Sequence, residues 1–490
     1  METLLGSHPP HRTRWISWAW LATLYLAGFV LWGYFFSWGR FPLNFHDWAH
    51  ITGPRLAFLK DALVQGQLPL HISDPDPSDP YPLGGITDRF LAIPDQILSP
   101  QVILLPVLPI GVFVAGNVLL LYSLGYAGLL WLRRKFSLSL VAFTILFLLF
   151  NFNGHILAHF AVGHATWGGY FLFPWFAILV FKLVEGERGW AWIAKMALLL
   201  LAIFLQGSFH QFVWALIFLA LLAVAKRGYF LTAAGGAVFG VLLSLVRILP
   251  PASMLGKFDN EFKSGYPTLA DLWQSLFTIY PTGGKTAILT MDTSLGYWEL
   301  SLYVGLAGAI FLLYFGVWRW LSDCDDHNGF QSLVLPVLGL VVLSIGQIYR
   351  IIHLMPIPLL GGERVSSRFI SLPFVFIIFF AVIYFQDWLN QPHRSKTLVY
   401  LIISAGFIIS LSDLWQNYRI WRVVAVAPNF KEQKFFPQAW IVANHPDPAY
   451  LGLILAGAAL SLVSLGVLIF FAWRRDRADQ EHSAVESSGW

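Results

Sequence analysis

Charged side chains are scarce in this sequence. Asp, Glu, Lys and Arg make up only 12% of the 490 residues, whereas hydrophobic residues make up 57% and aromatic residues 17%. Because a soluble globular protein carries roughly 25% charged residues, this composition excludes an ordinary water-soluble enzyme. It is typical of an integral membrane protein, whose long apolar segments face lipid.

Cysteine is almost absent, and the common nucleotide-binding signatures are missing. The single Cys324 excludes a disulfide framework and a cluster of thiolate metal ligands. The sequence has no P-loop and no glycine-rich dinucleotide fingerprint, which argues against an activity driven by nucleotide hydrolysis. It also has no run of mixed basic and aromatic residues of the kind that binds nucleic acid.

Long apolar runs predict an all-α polytopic membrane protein with about twelve transmembrane helices. A run of 18 or more apolar residues is long enough to cross a bilayer as a helix. The runs form a single transmembrane domain, 15–473, between an N-terminus, 1–14, and a tail, 474–490. The predicted spans are 15–37, 110–132, 136–151, 167–184, 189–206, 210–225, 229–249, 298–318, 331–348, 369–387, 397–413 and 451–473.

Basic residues predict how these spans are oriented. Lys and Arg concentrate in cytoplasmic connections, and an even number of spans places the basic residues of 133–135, 226–227 and 474–477 on one side. Both termini are then cytoplasmic, in a multi-pass protein of the cell membrane. The long connections all fall on the extracytoplasmic face, where loops of this length usually carry function. The major ones are 38–109, 250–297, 349–368 and 414–450.

The first of these loops carries the leading candidate for catalysis. Asp47 follows the first span closely and lies between His46 and His50. A carboxylate at the membrane boundary is partly desolvated, which is expected to raise its pKa toward the range of a general base. The histidines would tune Asp47 or complete a metal site with it; alternatively, Asp47 caps a nearby helix. The apolar spacing of 51–65 predicts a short interfacial helix.

Histidines on the same predicted face form a second group of candidates. His155 and His159 are four residues apart and would share a helix face, which is a spacing compatible with zinc. His164, Asp47 or His210 would supply a further ligand after folding. The alternative is that these imidazoles hydrogen-bond to backbone or substrate, and this interpretation assigns no residue to a metal. A divalent metal would then be optional.

Several arginines lie on the predicted extracytoplasmic face, although basic residues usually concentrate on the cytoplasmic side. They are therefore candidates for binding phosphate. Arg247 ends the seventh predicted span, while Arg350, Arg364 and Arg368 lie near the start of the tenth. The planar guanidinium matches phosphate oxygens. Each arginine alone could instead be a snorkelling residue at the membrane boundary. Together they predict an anion site for a lipid-linked phosphate.

Several short motifs follow one another along the first 370 residues, mostly in the loops of that face. They are Arg55…Gly66-Gln67-Leu68-Pro69…Pro82-Leu83-Gly84-Gly85, Gly163-His164…Phe173-Pro174, Gly207…His210, Glu299…Tyr303-Val304-Gly305 and Gly361-Gly362-Glu363-Arg364…Arg368-Phe369. With an acid just after the first span, this series resembles the GT-C superfamily of membrane glycosyltransferases, and within it the YfhO-like bacterial branch. The chain departs from the simplest pattern of that family, because it has His46-Asp47-Trp48 instead of paired acids and lacks a large soluble C-terminal domain.

The resemblance implies a GT-C-like helical fold whose extracytoplasmic loops carry short interfacial helices and form a cavity. The implied reaction moves a sugar from a polyprenyl phosphate to a lipid, polymer or protein acceptor, with Asp47 as general base and no required cofactor. The residues expected to contact substrate are His46, His50, Arg55, Asp95, His159, His164, His210, Arg247, Glu299, Arg350, Arg364 and Arg368.

Two other functions remain open on the sequence. One is a twelve-span secondary transporter, and the other is a non-catalytic envelope assembly factor. Transporters place ionisable groups near the membrane midplane on broken helices, whereas the middles of most predicted spans hold almost none. This distribution favours the enzyme.

Overall fold

The protein is a bundle of apolar helices, which confirms the all-α membrane class. A helix satisfies all of its backbone groups internally, as a segment in lipid must. The computed structural model describes residues 14–73, 87–93, 95–252, 264–279, 295–323, 326, 329–354, 363–392, 396–432 and 440–488. The motif residues 82–85 and 361–362 lie outside these ranges. The strands among the described residues are β1 (Ile72–Ser73) and β2 (Ile441–Val442), which pair antiparallel.

The α-helices succeed one another with short 3-10 or π-helical turns between many of them. The helices are α1 (Arg14–Phe35), α2 (Gly53–Val64), α3 (Ile110–Lys135), α4 (Leu140–Phe152), α5 (Gly154–Ala161), α6 (Phe173–Val184), α7 (Trp190–Leu205), α8 (Phe209–Ala225), α9 (Phe230–Leu243), α10 (Leu245–Ala252), α11 (Leu269–Gln274), α12 (Gly305–Phe311), α13 (Arg319–Leu321), α14 (Val334–Leu343), α15 (Gly346–His353), α16 (Ser371–Asn390), α17 (Lys396–Trp421), α18 (Val423–Val426) and α19 (Pro448–Ser488).

Among the residues that the structure describes, six helical segments are long and apolar enough to cross a membrane. They are Trp15–Phe35, Ile110–Lys135, Leu140–Ala161, Ala165–Val184, Ser366–Asn390 and Pro448–Arg474, and a seventh would be the pair Arg227–Leu243 and Leu245–Ala252, which bends by 69°. Shorter apolar helices are Trp190–Leu205, Phe209–Ala225, Gly305–Leu321 and Phe330–Leu343. Each of the twelve predicted spans overlaps an apolar helix, while the count of twelve crossings stays a prediction.

The helices differ in how much of their surface the bundle covers. In the most apolar part of Ser366–Asn390, 94% of the residues are buried, against 17% in Pro448–Arg474 and 33% in Trp15–Phe35. A helix that is apolar on all sides yet exposed needs lipid around it. The central helix α16 therefore belongs to the protein core, and the outer helices α1 and α19 present apolar surface to the bilayer.

The long connections meet at one end of the bundle, which we call the loop face. Three backbone hydrogen bonds show this meeting: Asp47 N to Val162 O (3.2 Å), Gly154 N to Tyr303 O (2.7 Å) and Ser366 N to Ser264 O (2.9 Å). Segments that are far apart in the chain thus supply one surface. The loop face consists of residues 36–52, 87–109 except 94, 162–168, 206–210, 295–304, 363–370 and 440–447.

The predicted short helix of the first loop is confirmed as α2. Pro54 lies in its first turn, where the missing N–H costs nothing because that group has no partner inside the helix. Leu56 and Leu59 are buried, and Leu63 is partly buried. The apolar face of α2 therefore packs on the protein core, which anchors the loop that carries Asp47.

The orientation predicted from the charges can be tested with single cysteines in a Cys324→Ser background. Gln67 is exposed after α2, and Arg227 is exposed between α8 and α9. We expect Gln67→Cys to react with a membrane-impermeant maleimide in intact cells and Arg227→Cys to react only after permeabilisation. Labelling of both positions from the same side would contradict the predicted topology.

Candidate functional site

The segment around Asp47 is fixed by hydrogen bonds to the turn that follows α5. Asp47 N donates to Val162 O at 3.2 Å. Trp48 Nε1 donates to Ala161 O at 3.0 Å, and Thr52 Oγ1 donates to Gly163 O at 2.7 Å. These bonds place the side chain of Asp47 beside the histidines of α5 and of its turn.

Two unusual backbone conformations make this close approach possible. Gly163 has φ +104°, and a Cβ atom there would collide with Trp48 N and the carbonyl carbon of Asp47. His46 has φ +43°, a left-handed conformation that is uncommon for a residue with a side chain. Strain of this kind persists only where surrounding contacts hold it, and it often marks functional sites.

The carboxylate of Asp47 lies between two imidazoles. Its Oδ1 is 3.3 Å from His46 Nδ1, and its Oδ2 is 3.0 Å from His164 Nε2. The side chains of His46 and Asp47 each keep 24% of their surface exposed, whereas that of His164 keeps 8%. The pair His46–Asp47 is therefore reachable from outside, with His164 beneath it.

The pKa of Asp47 moves in the direction opposite to the sequence prediction. Burial raises it, but the hydrogen bond from His164 and the positive fields of His164, His46 and Arg368 outweigh burial and lower the pKa to about 2. The expectation of a raised pKa was wrong, since desolvation is only one of its causes. The capping alternative also fails, because Asp47 makes no side-chain capping bond to the π-helical turn Trp48–Thr52.

His46 has a defined tautomer in this environment. Its Nδ1 faces two acceptors, Val162 O at 3.1 Å and Asp47 Oδ1 at 3.3 Å. The proton of the neutral ring therefore sits on Nδ1, which leaves a lone pair on Nε2. Burial lowers the pKa of His46 and outweighs the opposing effect of Asp47, so the ring is neutral near pH 7.

A chain of imidazoles continues inward from Asp47. His159 Nδ1 and His164 Nδ1 are 2.7 Å apart, and His159 stacks on Trp167 with ring centroids 3.5 Å apart. Asn153 starts α5 by accepting a hydrogen bond from Ile156 N through its side chain. This capped helix positions His159, so that a proton could pass between Asp47, His164 and His159.

An ion pair adjoins this chain. Arg368 donates to both oxygens of Glu299, from Nε at 2.7 Å and from Nη2 at 2.6 Å. Its Nη1 is 3.5 Å from His210 Nε2 and 3.9 Å from Glu363 Oε1. Such a bidentate pair is strong and directional. It compensates a guanidinium and a carboxylate that are both largely buried.

Glu363 completes the arrangement from the other side of Arg368. Its Oε2 lies 2.8 Å from His210 Nδ1 and accepts a hydrogen bond from Trp214 Nε1 at 3.2 Å. Burial raises the pKa of Glu363, but the charge and hydrogen bond of His210 and the charge of Arg368 outweigh it and lower the pKa. For Glu299, burial likewise acts upward and Arg368 outweighs it. Both acids are therefore anionic.

We call the whole group the Asp47 cluster. It consists of His46, Asp47, His159, His164, His210, Glu299, Glu363 and Arg368.

Aromatic rings line the accessible side of the cluster. The His46 ring is 4.6 Å from Trp298 and 5.3 Å from Phe430, and the latter two are 5.7 Å apart. Trp298 and Phe430 are partly exposed. Together these rings form a wall beside Asp47 against which a flat apolar face of a ligand can pack.

Two sets of donors in the cluster are close enough to hold a metal ion. They are His46, Asp47 and His164, and His159, His164 and Glu299. His164 donates a hydrogen bond to Asp47 Oδ2, His46 Nδ1 lies 3.3 Å from Asp47 Oδ1, and Arg368 donates to both oxygens of Glu299 and compensates its charge. We therefore interpret the cluster as a proton-transfer network, and the prediction of a metal-free site stays a prediction.

The structure brings together seven of the predicted residues and adds one that the sequence interpretation missed. The seven are His46, Asp47, His159, His164, His210, Glu299 and Arg368. Glu363 was missed, although it lies in the motif Gly361-Gly362-Glu363-Arg364 that carried part of the resemblance. The signal that could have identified it is an acidic residue between glycines and an arginine in a predicted extracytoplasmic connection. His50 lies partly buried in the π-helical turn next to Asp47.

Arg247 has a structural role here instead of the predicted phosphate contact. It is 2% exposed, and its guanidinium donates to Leu91 O and Ile93 O, both at 2.6 Å, and to Asp95 O at 3.2 Å. A buried guanidinium committed to three carbonyls is not available to a ligand. Arg55 and Asp95 form an ion pair in the same region, with 3.4 Å between Nη1 and Oδ2, and hold the loop in the same way.

The other arginines of the predicted phosphate site are dispersed. Arg350 is exposed on α15, and Arg364 is partly buried beside Glu363 in the chain. Arg368 has its contacts within the Asp47 cluster. The four arginines thus do not converge around one point, because Arg247 turns toward the first loop and Arg350 toward the surface.

Comparison with the families of known proteins found none that this chain matches, and comparison with curated proteins found no similar sequence. The function is therefore inferred from the geometry of the Asp47 cluster.

The role of Arg247 can be tested by substitution. Arg247→Ala leaves buried carbonyls without donors, and a hydrogen bond to a charged group contributes about 1.5–3 kcal/mol. We expect the free energy of unfolding in detergent to fall by roughly 3 kcal/mol, measured by thermal or denaturant unfolding. The exposed Arg350→Ala should change it by less than about 0.5 kcal/mol. A fully stable Arg247→Ala protein would contradict the structural role.

Proposed function

We propose that this protein is a membrane glycosyltransferase of the GT-C type, close to the YfhO-like branch, which transfers a sugar from a polyprenyl phosphate to an acceptor outside the cytoplasm. The observation that carries the proposal is the accessible His46–Asp47 pair, which lies beside paired buried charges where the long loops meet. The proposal includes twelve crossings with both termini cytoplasmic.

In this proposal the acceptor hydroxyl is activated by His46 and Asp47 acting together. The lone pair on His46 Nε2 takes the hydroxyl proton while the acceptor oxygen attacks the anomeric carbon and the bond from that carbon to the phosphate oxygen breaks. Asp47 holds the tautomer and compensates the imidazolium that forms, as a carboxylate does beside a catalytic histidine. This refines the expectation that Asp47 alone is the base, because a carboxylate with a pKa of about 2 is a weak base.

The donor would be recognised at its phosphate and at its sugar. His210, whose side chain is 38% exposed, would face the departing phosphate, whose negative charge grows as its bond breaks, and Arg368 lies behind it. Trp298 and Phe430 would pack against the sugar ring. No step requires a metal or an organic cofactor.

The hydrocarbon of a lipid-linked donor would find an apolar cavity in the helix bundle. A cavity of about 470 Å³ lies between α4, α12, α16 and α17. Its lining includes Leu149, Gly308, Phe385, Ile403 and Leu414. Because these residues are almost entirely apolar, the cavity suits an isoprenoid chain better than a polar substrate.

A secondary transporter is the alternative that one observation favours. The helix from Arg227 to Ala252 bends by 69° between α9 and α10, and the buried Arg247 follows the bend. Discontinuous helices of this kind form substrate sites in transporters. Arg247 is nevertheless occupied by backbone carbonyls, so we rank transport, and a non-catalytic assembly role, below transfer.

Transfer should depend on the two residues of the base. We expect Asp47→Asn and His46→Gln each to lower the rate of sugar transfer by roughly 10²- to 10⁴-fold, the usual contribution of general-base catalysis. The assay follows a radiolabelled sugar from a polyprenyl-phosphate donor in proteoliposomes. The matched control is Asp61→Asn, which changes an exposed carboxylate of α2 and should keep full activity.

The outcomes of this assay separate the candidate functions. Normal transfer by a well-folded Asp47→Asn protein would remove Asp47 from the mechanism. If the wild-type protein transfers no sugar from any lipid donor but moves a solute across the proteoliposome, the transporter is favoured.

The pH dependence should report His46. Its pKa lies below the ordinary value of about 6.5, so the neutral form dominates at pH 7. The rate of transfer should be constant around pH 7 and above and fall only at a pH below the ordinary pKa of histidine, where His46 gains a proton. The groups that face His46 are Asp47, His164 and Glu299, and all three act on its pKa.

A pH series of the transfer rate checks this expectation. Asp47 stays ionised down to about pH 2 and contributes no change between pH 4 and 8. A His46→Gln protein with the same acidic limb as the wild type would show that another group takes the proton.

A further inference from the structure

A second group of histidines and acids lies at the edge of the loop face, outside the Asp47 cluster. It is formed where the first long loop meets the segment before α19. The backbone of His71 pairs with that of Arg89 in an isolated antiparallel β-bridge. The carbonyl of His71 also accepts a hydrogen bond from Ala443 N at 3.0 Å. The backbone thus holds the segments of 70–73, 87–90 and 441–444 side by side.

This backbone arrangement brings three donors together. One ligand atom from each of His71, Asp88 and His445 lies within 4.8 Å of the others. The ring centroids of His71 and His445 are 3.9 Å apart, and His445 Nε2 is 2.7 Å from Asp88 Oδ2. We call these three residues the loop clasp.

His71 has one ring nitrogen without a partner among the described residues. Its Nε2 faces Asp447 Oδ2 at 3.5 Å, and Asp447 is itself held by two hydrogen bonds from Arg89, at 2.8 and 3.1 Å. His71 is 2% exposed, and its Nδ1 is buried with no hydrogen bond to any part of the chain that the structure describes. A histidine whose other nitrogen points to a carboxylate is the usual form of a metal ligand.

His445 presents a similar arrangement at the surface. Its Nδ1 is 3.4 Å from Pro446 O, an acceptor, so that Nε2 carries the lone pair in the neutral ring. That lone pair faces a carboxylate oxygen of Asp88, and two acceptors at 2.7 Å repel each other unless they share a proton or bind one cation side by side. The side chains of Asp88 and His445 are 47% and 50% exposed, so an ion can enter.

We propose that the loop clasp of His71, Asp88 and His445 is a zinc-binding site. Two imidazoles and one carboxylate are ligands that Zn²⁺ prefers, and a water would complete four-coordination. Asp447 and Arg89 orient His71 from behind, in the role of outer-sphere residues. The ion ties the first long loop to the segment that precedes α19. The site is independent of the proposed transfer reaction.

The test uses the full-length protein in detergent, stripped with a chelator and titrated with Zn²⁺. Bound zinc is counted by mass spectrometry, and affinity is measured by calorimetry. We expect Asp88→Asn and His445→Ala each to lose one equivalent, with affinity at this site more than roughly 100-fold weaker, since even outer-sphere changes cost about 10- to 100-fold. Both residues are exposed, so the variants should fold. Asp61→Asn is the matched control and should keep the equivalent.

Two results would overturn the proposal. One is equal zinc content and affinity in the wild type and in Asp88→Asn and His445→Ala, which would mean that a proton, not a metal, joins His445 to Asp88. The other is an equal loss in Asp61→Asn, which would mean that the binding is not specific to the clasp. Zinc should also raise the unfolding temperature of the wild type and leave that of His445→Ala unchanged. Neither result depends on whether the protein transfers a sugar.

Discussion

The pairing of Arg368 with Glu299 is the interaction on which the loop face depends. Both groups are largely buried at the end of an apolar bundle, where an uncompensated charge would be strongly destabilising. The bidentate geometry fixes the turn that carries Glu299 against the start of the central helix segment Ser366–Asn390. Glu363 and His210 then find a partner on the remaining side of the same guanidinium. One cation thus orders three separate segments of the chain.

The same cation shapes the chemistry at Asp47. Its field acts with those of His164 and His46 to hold the pKa of Asp47 low, in spite of burial. A carboxylate that remains ionised is a good partner for an imidazole but a poor acceptor of protons. In the proposed reaction the proton acceptor is therefore His46 and not Asp47, since His46 Nε2 has no hydrogen bond to the described side chains. A neutral imidazole beside a fixed anion would serve the proposed transfer as a base at neutral pH.

Much of the fold could be predicted from the sequence, because apolar runs are local. Every predicted span overlaps an apolar helix, and α2 was predicted from the spacing of Leu56, Leu59 and Leu63. The outcome at the site was mixed, because its electrostatics depend on partners far away in the chain. Desolvation of Asp47 could be inferred from its place after the first span, but the hydrogen bond from His164 could not. The backbone partners of Arg247 are equally distant in the chain. Because no sequence pattern shows that the carbonyls of Leu91, Ile93 and Asp95 accept its hydrogen bonds, Arg247 was instead predicted to bind phosphate.

The number of tethers on the first long loop explains why a strained residue can stand at the centre of the site. Left-handed backbone at a histidine costs on the order of 1–3 kcal/mol, and an untethered loop would relax away from it. Here the segment is bound to the turn after α5 by Asp47, Trp48 and Thr52, and the returning part of the loop is bound by Arg247. The clasp then holds the part between them. Because rigid support on both sides of a side chain preserves its geometry, these tethers keep the lone pair of His46, the proposed proton acceptor, at the accessible edge of the cluster instead of letting the ring turn to solvent.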